Sequence, residues 1–190
     1  DLQLREPLDF YAVTDHALFL GLANEAADPR TEFSQQSFAR KYHNLNTPQN
    51  RELRTLGFRA NAFSFLPGQI RRSVAKGRIN AEEVAAIGMR AWADIIRSAG
   101  THYRPGTLTT FAGFEYTSSG GGGGLHRNVI FADTHELPQL PFSRDDSQNP
   151  EGLWDWMDTL RERGAESLAI PHNSNASNGQ MFRLEDWVGN

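Results

Sequence analysis

Residues 113–131 read GFEYTSSGGGGGLHRNVIF. An apolar run ends on a carboxylate, Glu115. Five glycines, Gly120–Gly124, follow, and His126 then opens a second apolar run. The flanking runs are rich in aromatic and β-branched residues, so the segment reads strand, loop, strand. The first strand is expected over Leu108–Glu115 and the next within RNVIFA. A phosphate-binding P-loop requires Gly-Lys-Ser/Thr opening a helix. A dinucleotide fingerprint requires a following helix and an acidic residue about twenty positions on. Here Leu125-His126-Arg127-Asn128 leads into a strand, so both nucleotide readings fail. Ser118 or Ser119 with His126 fails as a nucleophilic pair: there is no G-x-S-x-G elbow, and a glycine-rich loop holds a serine poorly. The glycines therefore read as a slack connection, native or engineered, between Glu115 and His126.

The neighbouring segments repeat the strand signal. PLDFYAVTDH predicts a buried strand over Leu8–Thr14 that ends on Asp15 and His16, and SLAIPHN predicts one over Ser167–Ile170 with His172 just past its end. Between them lie helices. Ala17–Ala27 predicts a short one. Asn80 as N-cap, with Glu83 at the capping-box position, starts a helix over Ala81–Ala99 that Gly100 ends. Val84, Ile87, Ala91 and Ile95 line its inner face. Asn149-Pro150 starts another, with Leu153, Met157 and Leu160 inward and Gly164 as its stop. Residues 28–50 are polar and irregular. LGFRANAFSFLPGQI fits neither period, and Pro67-Gly68 marks a turn. Strands alternating with helices predict an α/β fold with a largely parallel sheet. Four strands are too few for a closed (β/α) barrel, so the sheet is either open or part of a barrel whose other strands lie outside the chain.

Length and composition set bounds. The chain has 190 residues, enough for one domain with a sizeable core. Net charge is −4, which argues against nucleic acid as the main partner. Basic residues concentrate in 51–81 and acidic ones in 132–163, which reads as solvated helix faces or, for the basic stretch, as a surface for an anionic partner. The absence of cysteine excludes disulfides and thiolate metal sites and leaves both redox compartments open. No run is apolar enough to span a membrane. The chain starts at Asp1, almost directly on a strand, so an upstream segment is expected. Localisation stays open between cytoplasm and export.

The polar groups fall at strand ends: Asp15-His16, Glu115 and His172-Asn173, with His126 at the start of the run after Glu115. Residues just beyond the carboxyl ends of parallel strands line α/β active sites. Imidazoles with carboxylates suit zinc, manganese or iron. Each residue also has an ordinary reading as a capping or turn residue. His43, His102 and His135 lie in polar surroundings and read as surface residues.

Five segments in order, DFYAVTDHA, FAGFEYTSS, LHRNVIF, NPEGLWDWMDTLRERG and LAIPHNSNASNGQMF, resemble a bacterial family, domain of unknown function 3604. That family is related to the PHP (polymerase and histidinol phosphatase) superfamily of metal-dependent phosphoesterases. The resemblance covers most of the chain and is weakest over residues 28–76. It implies a distorted (β/α)7 barrel of the TIM type, here incomplete, as one domain over residues 1–190 with a helix-rich excursion at about 28–106. It implies two or three divalent metals (Zn, Mn or Fe) held by His16, Glu115, His126 and His172, with Asp15 as a ligand or a neighbour of one. Asp15, Glu115 and His172 would be the catalytic groups. The implied activity is hydrolysis of a small anionic or phosphorylated substrate by metal-activated water. Arg127, Asn128 and Asn173 are the expected substrate contacts, although Arg127 points opposite to His126 on a strand. A non-phosphate ester or amide substrate, or a non-catalytic domain retaining the fold, are the alternatives. Two PHP motifs are missing. There is no H-x-H, and the one Asp-x-His, Asp133-Thr134-His135, precedes IPHN. Both are expected beyond the ends of this chain.

Overall fold

The computed structural model describes residues 4–50, 56–119 and 122–183. In chain order the elements are β1 (Phe10–His16), α1 (Leu22–Ala27), α2 (Leu56–Ala75), α3 (Ala81–His102), β2 (Thr109–Tyr116), β3 (Arg127–Phe131), α4 (Pro150–Arg161) and β4 (Ser167–Pro171). They fall into two compact units, one of residues 19–92 and one of residues 1–18 with 93–190.

The second unit carries the sheet. Its strands run in the order β1-β2-β3-β4. β1 and β2 are parallel, whereas β2–β3 and β3–β4 are antiparallel. This corrects the expectation of a largely parallel sheet. Only residues 117–126 join β2 to β3, and a parallel crossover needs a dozen or more, so β3 has to return antiparallel. Among the described residues the sheet is open, and no closed barrel is formed. β1 begins and ends two residues later than expected and β2 one residue later, which places Asp15 and His16 inside β1.

One face of β2 and β3 is covered. Phe114 and Phe131 meet Trp156 of α4 edge-on, at 5.9 and 6.4 Å between ring centres, and Phe142 packs on both Tyr116 and Trp156. Leu153, Met157 and Leu160 of α4 are buried, as their spacing predicts. Asn149 has the extended backbone of an N-cap, but its side chain makes no capping bond. Gly164 follows with φ +93°. The opposite face carries Thr14, Gly113, Glu115, Asn128 and Ile130 by alternation. Gly113 has a specific reason there. A Cβ on it would lie 2.9 Å from the Val129 carbonyl oxygen and 3.1 Å from Thr14 Cγ2. Without one, Thr14 reaches over β2 and its hydroxyl donates to Asn128 Oδ1 at 3.1 Å.

The unit of residues 19–92 is a small helical body whose core holds Leu22, Phe33, Tyr42, Leu66, Ile70 and Ile87. Two helix expectations are corrected. α2 runs through Pro67-Gly68 without a turn. Burial of Ala62, Leu66, Pro67 and Ile70 along one side outweighs the backbone hydrogen bond that the proline removes. α3 continues past Gly100 to His102. Asn80 does cap α3, accepting the Glu82 amide at 2.9 Å, and the carboxylate it meets is that of Glu82 and not Glu83. Residues 28–50 hold three short 3-10 turns.

Candidate functional site

Strand register assembles the site. His16 pairs with Glu115, and Glu115 pairs with Asn128 on its other side. One step on, the His172 amide donates to the His126 carbonyl at 3.0 Å, continuing the β3–β4 ladder beyond Arg127 and Pro171. Side chains two apart in a strand share a face. His16, Glu115, Asn128, Thr117, His126 and His172 therefore project from the same side, in two successive rungs. The antiparallel return of β3 makes this possible, because it puts the start of β3 beside the ends of β1, β2 and β4.

Glu115 sits at the centre. Its Oε1 lies 2.8 Å from His126 Nδ1 and 3.3 Å from His16 Nδ1, and its Oε2 lies 3.7 Å from His172 Nε2. The Thr117 hydroxyl donates to Oε1 at 3.1 Å and lies 2.5 Å from His16 Nδ1. The His16 and His126 rings meet edge to face, 6.5 Å apart. Glu115 is only 4% exposed. Burial pushes its pKa up, but the hydrogen bond and charge of His16, the charge of His126 and the Thr117 hydroxyl outweigh that, and its carboxyl is held below the usual range. Side-chain exposure rises from 19% at His126 to 25% at His16 and 39% at His172. The site thus opens toward β4.

Three imidazoles and one carboxylate are a donor set for a borderline divalent ion. Among the described residues, however, no three such side chains are arranged to hold one as they stand. Two observations nevertheless fit an ion. His126 Nδ1 is buried and has no hydrogen-bond partner, although it lies 2.8 Å from Glu115 Oε1. Its nitrogen and the carboxylate oxygen are close but not aligned as donor and acceptor. Neighbouring ligands of one ion, at bonds of about 2.0–2.2 Å, stand roughly 3.0–3.5 Å apart without bonding to each other. The distances of His126 Nδ1 and His172 Nε2 from Glu115, 2.8 and 3.7 Å, bracket that spacing.

One family model matches residues 1–190, and its description is protein of unknown function (DUF3604). The chain belongs to that family. No curated protein and no solved structure matches it.

In this DUF3604 chain the remaining expected site residues are placed differently. Asp15 alternates with His16, is exposed, and points to the other face of the sheet. Arg127 is also on that other face and is buried. Its guanidinium lies 5.5 Å over the Trp154 ring and donates to the carbonyls of Leu125 and His126 at 2.8 and 3.3 Å. Arg127 thus holds the backbone that presents His126 and does not reach the site face. Asn128 is on the site face, and its amide NH2 can act as a donor. Asn173 is exposed and left-handed, with φ 56°, a conformation that asparagine tolerates.

The slack-connection reading of the glycines is corrected. Leu125 N–H donates to Ser118 C=O at 2.9 Å and closes the loop, and Gly124 N–H donates to Ala176 C=O at 2.9 Å. The Asn178 side chain donates to the Gly122 carbonyl at 3.1 Å. A Cβ on Gly123 would lie 2.3 Å from the Ser177 carbonyl oxygen. Gly123 and Gly124 are thus a docking surface for the loop after His172, and backbone meets backbone there. Gly120 and Gly121 lie outside the described residues.

Thr117 was missed as a site residue. The available signal was its spacing: two residues after Glu115 in a strand, it must share that residue's face.

Proposed function

We propose that this protein is a metal-dependent hydrolase, most simply a phosphoesterase, whose site is His16, Glu115, His126 and His172. The observation that supports this reading is the convergence of three imidazole nitrogens on one buried, ionised carboxylate at the end of a sheet. Such a bound ion would supply an activated water and polarise an oxygen of the substrate. Glu115 supplies the negative charge that retains a cation, and the three histidines complete the ligand set. Asn128 offers an amide donor on the site face for an anionic substrate, and Asn173, next to His172, is the second candidate. The open four-stranded sheet is proposed to correspond to part of a PHP-like barrel, with the site at the mouth. Its substrate is proposed to be small and anionic. Among the described residues no helix is long and apolar enough to cross a membrane.

The test is metal titration of the protein, followed by assay on a chromogenic phosphodiester. Binding of at least one Zn2+ or Mn2+ with ion-dependent turnover is the expected result. His172→Ala is expected to lower ion affinity roughly 10–100-fold, the range seen when groups supporting a metal are removed. It is also expected to keep the fold, because His172 is the most exposed of the three histidines. A His172→Ala variant with undiminished ion binding and turnover would remove His172 from the site. Ion-free protein inert toward every ester would favour a non-catalytic domain.

A further inference from the structure

We propose that Thr117 is a positioning residue whose hydroxyl decides which nitrogen of His16 carries the proton. The inference concerns the site as it stands; only its consequence for ion binding rests on the metal reading above.

The argument starts from valence. A threonine hydroxyl has one proton to donate and two lone pairs to accept with. Two polar groups face it: Glu115 Oε1 at 3.1 Å and His16 Nδ1 at 2.5 Å. An ionised carboxylate can only accept. The hydroxyl proton therefore goes to Glu115, and a hydroxyl lone pair is left facing His16 Nδ1. That nitrogen must then bear hydrogen. The reverse arrangement, with the hydroxyl donating to Nδ1, sets lone pair against lone pair twice: the hydroxyl oxygen against Oε1 at 3.1 Å, and no proton anywhere between Nδ1 and Oε1 at 3.3 Å. The neutral His16 ring is thus the Nδ1–H form, and its unprotonated nitrogen is Nε2.

The same two bonds fix Glu115. Its Oε1 takes the Thr117 proton and stays turned toward β1 and β3, while Oε2 remains on the β4 side, 3.7 Å from His172. Threonine suits this role better than a freely turning hydroxyl, because its β-branched Cβ restricts χ1. One hydroxyl thereby sets the tautomer of one candidate ligand and the rotamer of another, as outer partners of metal-binding histidines commonly do.

The test needs no turnover. Nitrogen-15 correlation spectra of the imidazoles, taken on ion-free protein above the imidazole titration range, report the tautomer of His16 directly. Wild type and Thr117→Ser are expected to show His16 as Nδ1–H. Thr117→Val, nearly the same shape but without the hydroxyl, is expected to lose that preference while keeping the wild-type pattern of backbone amide signals. In parallel, Zn2+ affinity is expected to fall roughly tenfold or more in Thr117→Val and to recover in Thr117→Ser. A wild-type His16 protonated at Nε2 overturns the proposal. So does a folded Thr117→Val protein whose His16 remains Nδ1–H. If the tautomer follows the hydroxyl but no variant binds Zn2+, the positioning role stands and the metal reading falls.

Discussion

Glu115→Gln is expected to weaken Zn2+ binding by at least roughly a hundredfold, beyond the 10–100-fold typical of supporting groups. Glutamine keeps the shape but removes the negative charge that, among the described residues, lies within 3.7 Å of all three histidines. Calorimetric titration measures the effect, and unchanged affinity would rule Glu115 out as a ligand. The same variant has a second signature in ion-free protein. The folded-state pKa of Glu115 is lowered, whereas in the unfolded chain it takes the ordinary value of about 4.3. The unfolded state therefore binds the proton more readily. Glu115 contributes stability that is present above the ordinary glutamate range and is lost as pH falls through its lowered folded value. Wild-type denaturation midpoints should drop across that acidic window, and Glu115→Gln should lack this component of the slope. Equal slopes in the two proteins would show that the carboxylate is not held as the geometry requires.

Gly123→Ala is the second large effect, expected to destabilise the protein by about 2–3 kcal/mol, as overpacking a fitted site does. The added methyl would meet the Ser177 carbonyl oxygen at 2.3 Å and its carbon at 2.9 Å. Both are backbone atoms, so no side chain can swing aside. Gly122→Ala is the comparison. Nothing lies within 4 Å of its Cβ position, and only its φ of +81° penalises alanine. That penalty is expected to be about 1 kcal/mol. Urea denaturation separates the two. A slack loop would tolerate alanine at Gly123 at least as well as at Gly122, and that result would refute the docked loop.

Much of the site was readable because strands end where apolar runs end. His16, Glu115, His126 and His172 each stand at such a boundary, and a shared sheet then brings them together. The direction of β3 was readable in principle, since the ten residues 117–126 are too few for a parallel crossover. What the glycines do was not. Their partners, Ala176, Ser177 and Asn178, lie more than fifty residues away and carry no complementary signal of their own. Pro67 misled for a similar reason: local propensity marks a turn, and only the packing of Leu66 and Ile70 shows why the helix continues. Arg127 and Asp15 were drawn in by proximity in sequence, although alternation along a strand sends both to the other face.

The order of the strands also sets the order in which the site would come apart. Glu115 rides on β2, which is hydrogen-bonded on both sides, while His16 and His172 ride on β1 and β4, the outer strands among the described residues. Outer strands open at lower free energy than inner ones. Breathing of the sheet therefore detaches the flanking imidazoles before it disturbs the carboxylate or its neighbour His126. An Achilles heel on the β4 side, where exposure is already greatest, doubles as an entrance. Whatever binds at Glu115 would arrive past His172, and by bridging an outer strand to the inner pair it would fasten the sheet where it is loosest.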